Sequence, residues 1–336
     1  MPRFLIFDAK HYDHVTLGPV AEALDVDLKY YDFRLQPDTV EAARDAAGVC
    51  VFVNDKLPRE VVERLSELGV RMIALRCAGF NNVDLAAAED CGITVVRVPA
   101  YSPYAVAEHA VALLMALNRK VARAHHRVHE LNFALEGLVG FDVHGKTIGI
   151  VGTGKIGKVA ADIFAGFGTT ILVTDAYPDQ AWADERGYEY TTFEDLCARS
   201  DVISLHPPLT SETFHMVDKE AINQMKDGVM IINVSRGGLV DTKALVKALK
   251  RGKVGGVALD VYEEEEGVFF EDHSSHILMD DTLARLLTFP NVVITSHQAF
   301  LTEEALAEIA RVTVNNMRLF LDGAPPLVDT ALVAAQ

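Results

Sequence analysis

The chain has 336 residues, enough for about two domains of ordinary size. Half of the residues are hydrophobic and 24% are charged, which is typical of globular proteins and excludes a largely disordered or fibrous chain. The formal net charge of −17 repels phosphate backbones and anionic lipid, so we expect neither nucleic acid nor a membrane as partner. An anionic substrate would then need a locally positive pocket, and arginines near a pocket become informative.

The compartment is predicted from three further features of the sequence. No run of residues reaches the ~18 apolar positions of a membrane-spanning helix. The N-terminus meets Asp8 too early for a secretory signal and is interpreted as a first strand. The cysteines lack the CxxC spacing of zinc or disulfide motifs; they are Cys50, Cys77, Cys91 and Cys197. We therefore expect a cytoplasmic protein with reduced thiols and no metal site.

Short apolar runs alternate with helical patterns along the first hundred residues, which indicates α/β architecture. A helix is predicted over Arg59–Leu68, between Pro58 and Gly69. A longer, mostly apolar helix is predicted from Ala105 to about Leu131, packed between domains or against another subunit. The predicted strands of this region are Arg3–Phe7, Asp27–Tyr31, Gly48–Val53, Arg71–Leu75 and Thr94–Val98.

A second, more regular series of strands begins at Lys146. Most are continuous β-branched runs, as expected for parallel strands buried on both faces, and six of them complete a doubly wound dinucleotide-binding fold. An amphipathic helix, Glu303–Leu321, follows the last strand and is expected to cover the first domain, which would make that domain discontinuous. The six strands are Thr147–Val151, Thr170–Thr174, Asp201–Leu205, Val229–Val234, Val257–Val261 and Asn291–Thr295.

A GxGxxG motif lies between the first strand of this series and a helix predicted over Lys158–Phe167. Gly152 permits a tight turn, Gly154 lets the backbone approach a pyrophosphate, and Gly157 allows close packing of helix on strand. The helix N-terminus stabilises the diphosphate. Asp175 ends the next strand, where a carboxylate accepts hydrogen bonds from ribose hydroxyls and repels a 2′-phosphate. The pattern predicts NAD rather than NADP.

Charged side chains follow three of the later strands, at the edge of the sheet where ligands bind in open α/β folds. Arg236 can hold a carboxylate through its planar fork and polarise the adjacent carbonyl. His297 can donate a proton to the carbonyl oxygen as hydride arrives. A glutamate beside the imidazole would stabilise its charged form, and Glu265 is our candidate. The pattern itself leaves open which member of the acidic run Glu263–Glu266 turns inward. This set of residues predicts reduction of a 2-oxo acid.

Several segments resemble the D-isomer-specific 2-hydroxyacid dehydrogenase family, and the resemblance covers essentially the whole chain. Those that resemble the family in general are Val151–Gly157, Ile232–Val240, Val257–Glu265 and Val293–Phe300. Those that resemble its D-lactate dehydrogenase branch are Arg76–Asp84, Val98–Ala110 and Gly267–Phe270. The resemblance implies two doubly wound, Rossmann-like parallel-sheet domains with the active-site cleft between them. Residues 101–299 would form the NAD-binding domain, and residues 1–100 with 300–336 a flavodoxin-like substrate domain.

The resemblance also implies a reaction and roles for single residues. The reaction is reversible hydride transfer between NADH and pyruvate to give D-lactate, with His297 as acid/base, Glu265 tuning it and Arg236 binding the carboxylate. Substrate contacts are implied at the backbone amides of Ala78 and Gly79 and the hydroxyl of Tyr101. A homodimer is the minimum assembly, and a homotetramer is the alternative. The implied cofactor contacts are Gly152, Gly154, Lys155, Ile156, Gly157, Asp175, Pro207, Val234, Ser235 and Asp260.

The sequence departs from the family pattern at two positions and leaves alternatives open. Thr213 stands where many relatives have asparagine, which puts one cofactor contact in doubt, and Ser296 stands where proline or glycine is common. A bulkier 2-oxo acid such as phenylpyruvate is an alternative substrate. A non-catalytic, NAD-sensing corepressor-like protein is an alternative of another class. The spacing of His125, His126 and His129 is interpreted as a polar helix end rather than a metal site.

Overall fold

Two sheets of mainly parallel strands organise the chain, and the computed structural model describes residues 2–334. Residues through Ser102, together with those from Leu301 onward, form one unit, and Pro103–Phe300 form the other. Each sheet is doubly wound, with helices between consecutive parallel strands. The prediction of an α/β fold with two Rossmann-like parallel-sheet domains is confirmed.

The first unit has a six-stranded sheet with β3 and β4 at its centre. The spatial order β2-β1-β3-β4-β5 is the flavodoxin-like order, and β13 adds an antiparallel edge strand beside β5. This edge strand, which the sequence pattern did not predict, is three residues long. The strands are β1 (Arg3–Ile6), β2 (Asp27–Tyr30), β3 (Gly48–Val51), β4 (Met72–Leu75), β5 (Thr94–Val96) and β13 (Ala331–Val333).

The helices of the first unit cover both faces of its sheet. They are α1 (His11–Ala23), α2 (Arg59–Glu67), α3 (Leu85–Asp90) and α12 (Glu303–Leu321), with a 3-10 turn at Val40–Ala43. Helix α12 packs against α1 and β4, and its Val314 and Met317 join Phe4 in one apolar core. The apolar face of the C-terminal helix is therefore buried within this unit, as the amphipathic pattern of the sequence requires.

The second unit has a seven-stranded sheet with the order β12-β11-β10-β9-β6-β7-β8. Six of its strands were predicted, and the seventh, β8, was missed because only Glu189 and Tyr190 form it. The strand order reverses between β6 and β9, which is where doubly wound sheets bind nucleotides. The strands are β6 (Thr147–Val151), β7 (Thr170–Thr174), β8 (Glu189–Tyr190), β9 (Val202–Leu205), β10 (Val229–Asn233), β11 (Val254–Leu259) and β12 (Val292–Ile294).

Eight helices and one 3-10 turn, Gly237–Leu239, complete the described part of the second unit. Helix α4 packs its apolar residues against α6, β10 and β11 of its own unit, so its apolar face is covered without a second subunit. The helices are α4 (Pro103–Asn118), α5 (Val121–His129), α6 (Lys155–Ala165), α7 (Gln180–Arg186), α8 (Phe193–Arg199), α9 (Lys219–Gln224), α10 (Thr242–Lys250) and α11 (Asp281–Leu287).

The prediction of one long helix from Ala105 to about Leu131 is wrong, because two helices occupy this region. Lys120 adopts a left-handed conformation with φ 52°, which ends α4 before α5 begins. The side-chain amide of Asn118 donates to the Phe141 carbonyl at 2.7 Å and accepts from the Phe141 amide at 2.9 Å, which ties the end of α4 to a distant segment. This contact joins positions 23 apart, and helical periodicity carries no information about it.

Within residues 2–334, every helix is too short or too polar to cross a lipid bilayer.

Candidate active site

The turn after β6 carries the GxGxxG motif and has the geometry of a phosphate-binding loop. Gly152 has φ +89°, and a Cβ there would lie 2.6 Å from the backbone nitrogen of Pro207. A Cβ on Gly157 would lie 1.8 Å from the Gly152 oxygen, so helix and strand approach more closely than any side chain permits. A Cβ on Gly154 would meet no atom within 4 Å. The loop is therefore closed on its protein side and open at Gly154, where a pyrophosphate fits.

Helix α6 starts at Lys155, directly after Gly154, and not at Lys158 as the sequence pattern predicted. Its first residue is exposed and Ile156 is half-buried. Because the first amides of a helix have no intrahelical partner, the earlier start directs N–H groups toward the open side of the glycine turn. The observed helix N-terminus is therefore an anion-binding element that suits a dinucleotide diphosphate.

Asp175 lies immediately after β7, beside the glycine turn. One carboxylate oxygen accepts a hydrogen bond from the Thr153 amide at 2.5 Å and the other from the Tyr177 amide at 2.8 Å. These bonds hold a negative charge next to the phosphate-binding turn, and each carboxylate oxygen keeps a lone pair for a further donor. The position suits the ribose of NAD and disfavours a 2′-phosphate.

The segment after β9 forms the opposite wall of the glycine turn. The Ser235 hydroxyl donates to the Pro207 carbonyl at 2.6 Å, which ties this segment to the loop after β10. The Thr213 hydroxyl donates to the Pro208 carbonyl at 2.7 Å and accepts from the Thr210 amide at 2.8 Å. Thr213 stands where relatives often carry asparagine, and these two hydrogen bonds of its hydroxyl are made within its own turn.

His206 directly follows β9, and its imidazole has lost most of its contact with water. Its Nε2 lies 2.9 Å from the Ser204 hydroxyl, and its Nδ1 is buried without a hydrogen-bond partner in the described part of the chain. Burial lowers the pKa of His206 to about 4. The folded protein therefore keeps this ring neutral at neutral pH.

The lowered pKa of His206 predicts a loss of stability in weak acid. Below about pH 6.5 the unfolded chain protonates this histidine while the folded chain does not, so unfolding becomes easier until the pH reaches about 4. Between pH 7 and pH 5 the loss through this one group should be about 2 kcal/mol. Urea titrations at the two pH values measure the free energy of unfolding. Between pH 7 and pH 5 this free energy should fall by about 2 kcal/mol less in His206→Gln than in the wild type. The exposed His126→Gln serves as control, and equal losses in wild type and His206→Gln would contradict the assignment.

Arg236 lies in the loop after β10, and buried polar groups hold its backbone in place. Asn233, which is fully buried, donates its side-chain amide to the Arg236 carbonyl at 2.8 Å and accepts from the Ser235 amide at 3.1 Å. A Cβ on Gly237 would lie 2.1 Å from the Tyr262 carbonyl carbon, so the loops after β10 and β11 are in direct contact. Nη1 of Arg236 donates to the Ser235 carbonyl at 2.7 Å. None of its nitrogens forms an ion pair with a residue between 2 and 334, which leaves the guanidinium charge for a ligand.

His297 and Glu265 meet at the carboxyl ends of β11 and β12. Nδ1 of His297 lies 2.8 Å from one oxygen of Glu265, whose other oxygen accepts from the Tyr262 amide at 2.9 Å. Because an ionised carboxylate only accepts hydrogen bonds, Nδ1 must carry the proton, and Nε2 is the nitrogen that can gain or lose one. The His297 side chain is 20% exposed, and within residues 2–334 its Nε2 has no partner. This is the geometry of an oriented acid/base.

The acidic run Glu263–Glu266 resolves into two half-buried and two exposed residues. Glu265 contacts His297 as described. Glu263 instead accepts from Nε2 of His215 at 2.5 Å and from the hydroxyl of Thr242 at 2.8 Å. The fold therefore contains two histidine–glutamate pairs near this edge of the sheet, and only one includes the histidine after β12.

Asp260 is a buried carboxylate that fixes the backbone around His297. Its carbonyl accepts from the His297 amide at 2.7 Å, and its side chain accepts from the amides of Gln298 and Ala299, each at 2.9 Å. His297 itself has φ +51°, a strained conformation for a residue with a side chain. The hydrogen bonds to Asp260 hold the imidazole in this conformation.

A second histidine reaches the same carboxylate from helix α4. The Thr295 hydroxyl donates to Asp260 at 2.6 Å, and Nε2 of His109 lies 3.1 Å from that hydroxyl and 3.4 Å from the carboxylate oxygen. Burial acts to raise the pKa of Asp260, but hydrogen bonds from His109, Thr295 and the two amides outweigh it and hold the pKa below its usual value. Asp260 is therefore a stable anion at the base of the His297 loop.

The other residues implied for substrate binding belong to the first unit. Ala78 and Gly79 lie in the loop after β4, and both are partly exposed. The Ala78 carbonyl accepts a hydrogen bond from Arg97 at 2.9 Å. Tyr101 is half-buried near the end of the N-terminal segment of this unit.

The histidines of α5 lie on an exposed part of the second unit. Nε2 of His126 pairs with Glu130 at 3.2 Å, and the rings of His125 and His129 are 4.2 Å apart. In residues 2–334, no group of three or more histidine, cysteine, aspartate or glutamate side chains is arranged to hold a metal ion.

Three residues with notable contacts in their own unit were not singled out by the sequence pattern. Asn233 lies in a predicted apolar strand, His109 in the predicted apolar helix, and Arg97 in the predicted strand Thr94–Val98. Each acts through a contact between distant segments, so spacing does not identify it. Only an alignment of many relatives would have singled out such positions from sequence.

Comparisons with known proteins identify relatives over nearly the whole chain. The family model "D-isomer specific 2-hydroxyacid dehydrogenase, NAD binding domain" matches residues 111–299. A D-lactate dehydrogenase of Escherichia coli is 49% identical over 94% of this chain and 95% of its own length.

Solved structures agree with these sequence relatives. A structure reported for the pyruvate reductase of Chlamydomonas reinhardtii has a TM-score of 0.92 and 42% identity, covering 97% of this chain and 98% of that one. A D-lactate dehydrogenase with NAD+ from Lactobacillus jensenii has a TM-score of 0.81 and 28% identity, covering 98% of this chain and 99% of that one.

Proposed function

Because this chain belongs to the D-isomer specific 2-hydroxyacid dehydrogenase family and is an NAD-dependent dehydrogenase, we propose that it interconverts pyruvate and D-lactate. The relatives that suggest this substrate are the D-lactate dehydrogenase of Escherichia coli and the pyruvate reductase of Chlamydomonas reinhardtii. The observation that carries the proposal is the bond between His297 and Glu265 at the edge of the nucleotide-binding sheet.

His297 is the acid/base of the proposed reaction. Its Nε2–H gives a proton to the carbonyl oxygen of the 2-oxo acid, and in the reverse direction Nε2 takes the proton from the hydroxyl. Glu265 stabilises the imidazolium form and fixes the ring through Nδ1. Asp260 holds the backbone on which the imidazole is mounted.

Arg236 binds the substrate carboxylate in this proposal. Its guanidinium has no carboxylate partner in the described part of the protein and can offer two parallel N–H groups. The same charge polarises the adjacent carbonyl group. The amides of Ala78 and Gly79 and the Tyr101 hydroxyl are proposed as further substrate contacts.

NAD is the cofactor, and the residues of the second unit suit it. Bound NADH supplies the hydride that is added to the carbonyl carbon. We assign the diphosphate to Gly152, Gly154 and Gly157 with the adjoining amides of Lys155 and Ile156, because this turn is open at Gly154. Asp175 is assigned to the adenosine ribose. The nicotinamide side is assigned to Pro207, Val234, Ser235 and Asp260.

Replacing Asp175 with serine should change the preference between the two reduced dinucleotides. The variant loses the charged acceptor for the ribose hydroxyls, so kcat/KM for NADH should fall by roughly tenfold to a hundredfold. Activity with NADPH should fall less or rise, since the repulsion of a 2′-phosphate is removed. Steady-state kinetics with each cofactor measure the ratio. Asp184→Ser, on exposed helix α7, should keep the wild-type ratio, and an unchanged ratio in Asp175→Ser would refute the assignment.

The reaction is tested by following NADH absorbance with pyruvate and, in parallel, with phenylpyruvate. The enantiomer of the product is then identified with stereospecific enzymes. Rapid oxidation of NADH by pyruvate with only D-lactate formed supports the proposal. A strong preference for phenylpyruvate would show that the substrate is a bulkier 2-oxo acid than pyruvate. NADH binding without turnover of either acid would favour a non-catalytic, NAD-sensing role.

We also propose that the enzyme is a cytoplasmic homodimer or homotetramer in which α5 and the segment after it are covered by a second copy. Exposed apolar side chains cluster there: Val121, Val128, Leu131, Phe133, Leu135 and Val139. A groove of about 590 Å³ lies at the junction of α4 and α5 and is lined by Met115, Val121 and Val128 among others. Contiguous exposed apolar side chains are typical of protein–protein contacts.

The double variant Val128→Asp/Phe133→Asp should sediment as a monomer, because each change places a charge in the proposed contact. Sedimentation equilibrium measures the mass. Met279→Asp, at an even more exposed apolar position outside the patch, should leave the assembly intact. A wild-type protein that sediments as a monomer would refute this part of the proposal.

A further inference from the structure

The loop Arg76–Asn82 is held firmly at its two ends. The Val98 amide donates to the Cys77 carbonyl at 3.1 Å, which ties the start of the loop to the strand beside it. At the other end, the side-chain amide of Asn82 donates to the carbonyls of Phe52 and Asp55 at 2.8 and 3.0 Å. The middle of the loop contains Ala78 and Gly79, whose backbone amides the proposed function assigns to the substrate carboxylate.

Arg97 reaches this middle section from the neighbouring segment. It directly follows β5, and its backbone amide donates to the Thr330 carbonyl at 2.9 Å, which anchors the residue in the sheet. Its Nη1 donates to the Ala78 carbonyl at 2.9 Å. Its guanidinium carbon lies 5.1 Å from the centre of the Phe80 ring, within the range of a cation–π contact. One guanidinium thus contacts the loop at two residues on either side of Gly79.

The bond to Ala78 controls the direction of the Gly79 N–H. The carbonyl of Ala78 and the amide of Gly79 belong to one planar trans peptide unit, in which the C=O and N–H point in opposite directions. Fixing the carbonyl therefore fixes the N–H. A cation at the carbonyl oxygen also polarises the peptide and makes its N–H a stronger donor.

The charge of Arg97 is not cancelled by a neighbour. Within residues 2–334, no carboxylate lies within ion-pair distance of its guanidinium, and its Nε is buried without a hydrogen-bond partner. In a protein with a formal net charge of −17, an unpaired arginine creates a local positive field. That field favours an anion at the loop it contacts.

We infer that Arg97 is a positioning residue that orients the Ala78–Gly79 peptide for the carboxylate of the 2-oxo acid; this inference rests on the proposed function. Arg97 acts through the loop rather than by touching the reacting atoms. Its removal therefore weakens substrate binding and leaves the proton and hydride transfer of bound substrate nearly intact.

The test compares Arg97→Met, Arg97→Lys and the wild type, with kcat and KM measured separately for pyruvate and NADH. Arg97→Met removes the donor and the charge, and its KM for pyruvate should rise roughly tenfold while kcat and the KM for NADH stay within about threefold. Arg97→Lys keeps a charged donor and should recover much of the lost affinity. The control is Arg71→Met, which removes an arginine that donates to the Ser66 carbonyl elsewhere in the same unit and should leave all constants unchanged.

An unchanged KM for pyruvate in Arg97→Met overturns the inference, and so does an equal rise in the KM for NADH. Thermal unfolding of each variant shows whether it is folded. If Arg97→Met does not fold, Arg97→Gln replaces it, with a rise in the KM for pyruvate expected and an unchanged KM overturning the inference. A wild type without activity on pyruvate is the separate result that rejects the proposed function itself.

Discussion

Replacing His297 with glutamine will lower kcat for pyruvate reduction by roughly a hundredfold to ten-thousandfold. Glutamine has a similar length and an N–H group, but it cannot exchange a proton, so the carbonyl oxygen receives none from the enzyme. Binding of NADH should be unchanged, because the glycine turn and Asp175 lie at other strand ends of the sheet. Stopped-flow turnover and NADH fluorescence titration measure the two quantities.

The matched control for this variant is His215→Gln. His215 also pairs with a glutamate near this edge of the sheet, through a 2.5 Å contact between its Nε2 and Glu263. The proposal gives this second pair no part in the reaction, so kcat should stay within about threefold of the wild type. If His297→Gln keeps kcat within tenfold of the wild type, His297 is not the acid/base.

Replacing Arg236 with glutamine will raise the KM for pyruvate by about a hundredfold or more. The variant loses a bidentate, charge-assisted contact, which contributes about 1.5–3 kcal/mol for each hydrogen bond to a charged group. A smaller fall in kcat should accompany it, since the charge that polarises the carbonyl is lost as well. Arg236→Lys should restore little of the lost affinity for pyruvate, because the point charge of a lysine ammonium does not reproduce the planar fork of the guanidinium. Steady-state kinetics with saturating NADH separate the effects on KM and kcat.

Arg251→Gln is the control for Arg236, because it removes one positive charge from an exposed position after α10. Its KM for pyruvate should equal that of the wild type. If Arg236→Gln and Arg251→Gln have the same KM, Arg236 does not bind the carboxylate.

Local sequence patterns were sufficient for most of the fold. Continuous β-branched runs such as Thr147–Val151 predicted buried parallel strands whose ends agree with the structure. The Glu303–Leu321 helix was predicted with its observed ends, since Thr302 accepts a hydrogen bond from the Ala305 amide and the apolar face repeats with helical period. These features depend on neighbouring residues only, so a single sequence contains them.

The errors arose where a distant segment decides the local conformation. Helix α4 ends at Asn118, where the side-chain amide bonds to the backbone of Phe141 and Lys120 turns into a left-handed conformation. Strand β8 has only Glu189 and Tyr190, and it exists because β7 offers an edge to pair with. The early start of α6 is a different, local error: the helix begins at Lys155, directly after Gly154.

For the candidate site, the sequence by itself determined which residue types follow the parallel strands: a GxGxxG turn, an arginine, a histidine and a run of glutamates. Chain direction brings these ends to one edge of the sheet, so residue type and strand order sufficed. Only the tertiary structure decided which side chains meet. It paired Glu263 with His215, held His297 at φ +51° through Asp260, and brought Arg97 to the Ala78 carbonyl. Each of these contacts is a hydrogen bond between segments far apart in the chain, and spacing along the sequence does not encode which groups come within bonding distance.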